Sequence, residues 1–107
     1  MDNTLTITAL TSGGQAYDID FPLHPNTRSS DAVASLVTAQ LATISSAVAA
    51  HPGLSDGDIL QALTMTLAIR ARMAGASPDS MKQLVRELFD DAYGAALAST
   101  PIFAGRA

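Results

Sequence analysis

The residues with the types and spacing best suited to bind a metal ion lie near the N-terminus. Asp18 and Asp20 fall on the same side of an extended segment, and His24 follows four residues later. Carboxylates and imidazole are ordinary ligands of divalent metals. The same spacing is also typical of a solvated acidic strand face followed by an exposed loop histidine. We favour this second interpretation and predict neither a metal ion nor a cofactor.

The other titratable residues and the glycine-rich segment do not form a recognisable catalytic arrangement. His24 and His51 each precede a proline, and the chain has no G-x-S-x-G motif for a nucleophilic serine. Asp90 and Asp91 are adjacent in a predicted helix, so their carboxylates diverge by about 100° instead of converging on a substrate. Ser12-Gly13-Gly14 leads into a second strand, which predicts a turn and not a phosphate-binding loop. We therefore predict that the protein is not an enzyme.

The composition of the 107-residue chain restricts its partners. Its net charge of −4 is unfavourable for binding phosphates, so we predict no nucleic-acid binding. Charged residues make up 15% of the chain, compared with about a quarter in typical domains. A surface with so few charges is either unusually apolar or partly covered by a partner. The absence of cysteine excludes disulfides and thiolate metal sites.

Targeting signals are not evident in the sequence. The first ten residues have neither a basic segment nor a long apolar run, so we predict no signal peptide. Asp31–Ala50 approaches the length of a membrane span, but it contains six Ser, Thr and Gln residues and depends heavily on Ala. We expect a cytoplasmic protein that does not insert into membranes, with residues 1–107 forming a single domain.

Two alternating segments near the N-terminus predict an antiparallel β-hairpin. Apolar residues alternate with polar ones in Thr4–Leu10 and again in Ala16–Leu23, as in half-buried strands. Gly13-Gly14 between them is a strong turn signal. Pro22 cannot donate a ladder hydrogen bond, so the second strand ends there or lies at a sheet edge. We predict a hairpin over about residues 4–23, packed on helices because two strands alone are marginally stable.

Apolar residues at spacings of three and four predict three helices, over about residues 31–50, 56–74 and 78–99. Ser29 or Ser30 can cap the first helix, and Ser55 with Asp58 resembles a capping box for the second. Gly75 suits the position after the second helix, and Ser77-Pro78 is typical of a helix start. The predicted fold class is therefore α+β, in the order β-β-α-α-α, with a two-stranded antiparallel hairpin packed on three helices.

The first predicted helix has an unusual distribution of charge. After Asp31 it has no charged side chain, and the positions opposite its apolar stripe are mostly Ala, Ser and Thr. A typical surface helix has charged residues there. The second helix is similarly apolar, whereas the third is normally amphipathic. We predict that the protein is a homodimer, because a second copy can cover this surface, with small residues of the first helix as the contact: Ala39, Ala42, Ser46 and Ala49.

The sequence is also compatible with two other functions. The first is a small domain that binds an apolar ligand between the hairpin and the first two helices, in a pocket lined by Tyr17, Phe21, Met65, Ile69 and Met73. The second is an adaptor or inhibitor that binds a larger protein through an acidic surface at Asp18, Asp20, Asp90 and Asp91. Arg70 and Arg72 form the only close basic pair, and they can pair with acids of a neighbouring element or of a partner.

Overall fold

The structure is a computed structural model that describes residues 4–10, 15–99 and 101–103. The elements are β1 (Thr4–Leu10), β2 (Gln15–Pro22), α1 (Ser30–Ala50), α2 (Asp56–Met73), α3 (Pro78–Ala98) and β3 (Pro101–Phe103). A hairpin followed by three helices confirms the predicted α+β fold, and each helix boundary lies within one residue of its predicted position. The predicted turn at Gly13-Gly14 lies outside the described residues.

The hairpin has one apolar and one polar face. Leu5 lies opposite Phe21, Ile7 opposite Ile19 and Ala9 opposite Tyr17, and these pairs share the apolar face. On the other face, Thr6 and Thr8 lie opposite Asp20 and Asp18. Among side chains that the structure describes, Ile7 and Ile19 are the only buried ones, with exposed fractions of 7% and 9%. Within the described part of the chain, the buried core therefore consists of one cross-strand isoleucine pair.

A short third strand completes the sheet, and the sequence did not predict it. β3 pairs antiparallel with the beginning of β2, where Gln15 lies opposite Phe103 and Tyr17 opposite Pro101. The strand order is β1-β2-β3, so β2 is central. Pro22 lies at the far end of β2, where its only strand neighbour is β1, so its missing N–H interrupts no pairing with β3. Three residues are too few to show an alternating pattern, which explains why β3 was not predicted.

The helix ends follow from local hydrogen bonds. The Ser29 hydroxyl accepts from the Ala32 N–H at 3.2 Å and the Ser77 hydroxyl from the Ser80 N–H at 3.2 Å, as expected for N-caps. The predicted capping box of α2 is complete: Ser55 Oγ accepts from the Asp58 N–H, and Asp58 Oδ2 accepts from the Ser55 N–H, both at 3.1 Å. After α2, Gly75 has a φ of +80°, which glycine adopts readily.

The helices form a thin and open layer, and only α1 and α3 pack extensively on the sheet. α1 packs against β1 and α3 against β2, whereas α2 has no contact of similar extent with any described element. The radius of gyration is 15.2 Å, compared with about 13 Å for a compact domain of this length. The smallest dimension is 22 Å, as expected for two layers of secondary structure. The chain is therefore flatter and more open than an ordinary domain.

None of the three helices buries a side chain completely. Instead, large apolar side chains are exposed along all of them: Val33, Leu36, Leu41, Val48, Leu60, Leu63, Met65, Leu67, Ile69, Met73, Leu88, Phe89, Tyr93 and Leu97. This exposure is most complete on α2, where every residue except Ile59 and Ala71 is exposed.

Candidate functional site

An open groove separates α1 from α2 and has a volume of about 900 Å³. We call it the α1–α2 groove. Leu36, Ile44 and Ala47 line it from α1, and Ile59, Leu63 and other residues line it from α2. His51, Asp58 and Arg70 are the ionisable residues in its lining. The groove is therefore an extended apolar surface that the single chain does not fill.

Threonine hydroxyls do not make these surfaces polar, because they bond to their own helices. Thr43 Oγ1 donates to the Ala39 carbonyl at 3.0 Å, and Thr66 Oγ1 donates to the Ala62 carbonyl at 3.0 Å. Thr64 Oγ1 likewise donates to the Leu60 carbonyl at 2.7 Å. A threonine bonded in this way presents its methyl group outwards. The helices are therefore more apolar than their sequences suggest.

A second groove lies between α2 and α3 and has a volume of about 760 Å³. We call it the α2–α3 groove. Leu67, Met81, Val85 and Phe89 contribute apolar surface to it. Its ionisable residues are all basic, namely Arg72, Lys82 and Arg86. Lys82 and Arg86 are also exposed on the surface of α3.

A third apolar surface lies on the remaining side of α2. Met65, Ile69 and Met73 are spaced by four residues, so they form one row along the helix. Their exposed fractions are 56%, 60% and 64%, and none of them lines either groove. We call this set the outer row of α2. Because both grooves and the outer row surround α2, its uncharged middle, residues 59–69, has apolar surface on all sides, which is typical of a helix that is buried in its functional form.

α3 has an exposed apolar row that the sequence analysis missed. Phe89, Tyr93 and Leu97 are also spaced by four residues and are all exposed. The rings of Phe89 and Tyr93 stack with their centroids 5.4 Å apart and their planes at 19°. The spacing was visible in the sequence, but these residues lie beside the main apolar stripe of α3 and were therefore not considered separately.

The four residues predicted for self-association are exposed on α1. Ala39, Ala42, Ser46 and Ala49 are all exposed, and Ala39 also lines the α1–α2 groove. Among the described residues, α1 is also the one helix that is long and apolar enough to cross a membrane by length and composition, and its apolar window is not buried. The structure leaves this surface free to contact a partner, so the prediction stays open.

The five residues predicted to line a ligand pocket are not gathered in one groove. Tyr17 and Phe21 are half-buried on β2 and line neither groove. Met65, Ile69 and Met73 lie together, but on the outer row of α2. The two grooves instead use residues that the sequence analysis did not combine, such as Leu36 with Leu63 and Leu67 with Phe89.

The residues considered for a metal site make local hydrogen bonds. Asp18 Oδ1 accepts from Thr8 Oγ1 at 2.6 Å, and Asp20 Oδ1 accepts from Thr6 Oγ1 at 2.5 Å. His24 Nδ1 accepts from the Asn26 N–H at 3.1 Å. In the described part of the chain, no three acidic, histidine or cysteine residues are grouped as metal ligands. Asp18 and Asp20 thus connect the two strands across the exposed face of the hairpin.

The remaining charged residues of interest lie on helix surfaces. Asp90 and Asp91 are exposed on α3, as are Arg70 and Arg72 on α2. Arg70 Nη1 approaches Met73 Sδ at 3.6 Å. No carboxylate within the described ranges forms an ion pair with Arg70 or Arg72.

The chain exposes more surface than a compact monomer of the same mass. The chain exposes 8389 Å², whereas a compact monomer of 11.0 kDa exposes about 5,600 Å². The excess is about 2,800 Å² per chain. An obligate interface covers about 1,000–2,500 Å² on each partner. The excess is therefore large enough for a stable protein interface, and the exposed large apolar side chains lie on the three helices.

The chain was also compared with known proteins. No protein-family model matches it, no curated protein matches it in sequence and no solved structure matches it in fold.

Proposed function

We propose that this protein is a small, non-enzymatic interaction protein that works as a homodimer, with its helices forming the contact between two copies. The observation that carries the proposal is the excess of about 2,800 Å² of exposed surface over that of a compact monomer, together with the large apolar side chains exposed on α1, α2 and α3. Burial of apolar surface is the dominant favourable contribution to protein association.

A protein partner fits this surface better than a small ligand. The α1–α2 groove, at about 900 Å³, is within the range of small-molecule sites. A ligand in that groove would nevertheless leave the α2–α3 groove and the outer row of α2 in water. A second protein can cover all three surfaces around α2. We therefore rank ligand binding below self-association.

A second copy of the chain is the partner that needs the fewest assumptions. Most soluble oligomers are homo-oligomers, and twofold dimers are the commonest class. A twofold contact uses the same surface on both copies, and an apolar helix face is complementary to itself. The surface has few charges, as expected for obligate interfaces, which resemble a domain core.

The local hydrogen bonds support a binding role more than a catalytic one. The Asp18 and Asp20 carboxylates accept from threonines of the neighbouring strand, and His24 Nδ1 accepts from a loop N–H. These bonds stabilise the hairpin and the following loop. The groups most suited to acid–base chemistry therefore have structural partners, and the large apolar surfaces lie elsewhere.

Light scattering during gel filtration at micromolar protein concentrations tests the proposal. We expect a particle of twice the 11.0 kDa chain mass, free of bound ligand in native mass spectrometry. A monomer whose helices are protected from hydrogen exchange would contradict it. A reproducible extra mass on a monomer would support ligand binding instead. Recovery from cells in the membrane fraction would contradict the cytoplasmic location that we propose.

A further inference from the structure

The outer row of α2 has a charged residue near each end. Asp58 precedes Met65 by seven residues, and Arg72 follows it by seven. At about 100° per residue, both lie within roughly 20° of the direction of Met65, and they also line the edges of the two neighbouring grooves, Asp58 that of α1–α2 and Arg72 that of α2–α3. Ala62 lies about 20° from Ile69, at the border with the α1–α2 groove that it also lines, and it is small enough to let a neighbouring helix approach closely. This face thus has an acidic end, an apolar middle and a basic end.

Both charges have capacity for a partner from outside the chain. Asp58 Oδ2 accepts the Ser55 N–H in the capping box, and a carboxylate has further acceptor sites on its second oxygen. Arg72 is exposed and has no ion-pair partner among the described residues. A guanidinium and a carboxylate can therefore meet across a contact without breaking any described hydrogen bond.

We infer that the homodimer forms around an antiparallel pair of α2 helices, with the twofold axis passing beside Met65. This inference rests on the proposed function and specifies its contact surface. Met65 is the midpoint between Asp58 and Arg72, so an antiparallel pair centred there places Asp58 of each copy opposite Arg72 of the other. A parallel pair would instead place like charges opposite each other at both ends.

Other surfaces are less well defined as the centre of the contact. The small residues of α1 have no charges that would set a register. Apart from Arg72, which lies between the α2–α3 groove and the outer row, the described lining of that groove has two further basic residues, Lys82 and Arg86, and no acidic one, so two copies of it would repel each other. The outer row of α2 combines apolar surface, a small residue and complementary charges on one face. The remaining helix surfaces flank it in the dimer.

Two single-cysteine variants test this arrangement, since the natural chain has no cysteine. Met65→Cys lies at the proposed twofold axis. Met73→Cys is the matched control, with the same native residue, the same row and similar exposure. In an antiparallel pair, the two copies of residue 73 lie about 24 Å apart along the helix axis. A short, ethylene-linked bismaleimide should therefore link two chains of Met65→Cys and leave Met73→Cys uncrosslinked. In the same assay, Ser46→Cys tests whether the α1 surfaces of the two chains lie next to each other.

The outcomes separate this inference from the proposed function. Gel filtration with light scattering first establishes whether each variant is dimeric. A dimer in which Met65→Cys crosslinks and Met73→Cys does not supports the antiparallel pair. If both α2 variants crosslink, or if only Ser46→Cys crosslinks, the antiparallel α2 pair is wrong. The proposal of a homodimer is unaffected by either result. A monomeric wild-type chain overturns the proposed function itself, and the inference with it.

Discussion

Replacing Met65 by aspartate should dissociate the dimer while leaving the fold of each chain intact. In a single chain, Met65 is 56% exposed on α2, so an acidic side chain there is solvated. In the proposed dimer, the two copies of residue 65 face each other beside the twofold axis. Met65→Asp would therefore bring two carboxylates together in an apolar contact.

The expected effect on association is much larger than the effect on the chain itself. Removing an ionised carboxylate from water costs several kcal/mol when it has no partner. If burying the two facing carboxylates in the dimer costs about 4 kcal/mol in total, the dissociation constant should rise about a thousandfold. Surface substitutions usually change stability by about 0.5 kcal/mol or less, and the lower helix propensity of Asp adds a few tenths.

Sedimentation equilibrium measures the dissociation constant, and far-ultraviolet circular dichroism checks that the helices remain. Ser46→Asp is the control, because it places the same acid on an exposed position of α1 outside the proposed contact. Two facing carboxylates raise each other's pKa, so the Met65→Asp dimer should partly recover near pH 4, about the ordinary Asp value. A Met65→Asp protein that dimerises as tightly as wild type refutes the reasoning, and dissociation by Ser46→Asp would indicate a contact on α1.

Three further substitutions test the fold, each measured by urea denaturation at one fixed protein concentration. Ile19→Ala should reduce the free energy of unfolding by about 2–5 kcal/mol, because it leaves a cavity against Ile7; a loss below about 1 kcal/mol would show that this pair is not the core. Ser55→Ala should cost about 1 kcal/mol, since it removes the hydroxyl of the capping box, whereas the mid-helix control Ser45→Ala should have little effect. Gly75→Ala should cost about 1–2 kcal/mol because of its φ of +80°. Gly53→Ala is its control, as that site also has free space but no positive φ, and equal effects at the two sites would contradict the explanation.

The fold could be predicted in detail because its signals are local. Alternation in the hairpin, helical spacing in α1 to α3 and serine caps each act within a few residues. Ser55 and Asp58, for example, were identified as a capping box from their spacing alone, and the structure shows both hydrogen bonds. β3 was missed because its pairing with β2 joins residues far apart in sequence.

The grooves and exposed rows were harder to predict, because they depend on how far apart the helices lie. The apolar residues of α2 were recognised, but their division among two grooves and an outer row requires the positions of α1 and α3. Met65 and Ile69 were grouped with Tyr17 and Phe21 on the assumption that α2 lies against the hairpin. In the structure, α1 and α3 make the main helix contacts with the strands, and the outer row of α2 faces away from both neighbouring helices.

The isoleucine pair at Ile7 and Ile19 also bears on how the chain reaches its native state. With so few of the described side chains buried inside one chain, a lone copy gains little free energy with which to offset its lost conformational entropy. The folded single chain is then only marginally stable, and association stabilises it further by mass action. Refolding should accordingly include a phase that becomes faster with protein concentration, and the thermal midpoint should rise with protein concentration.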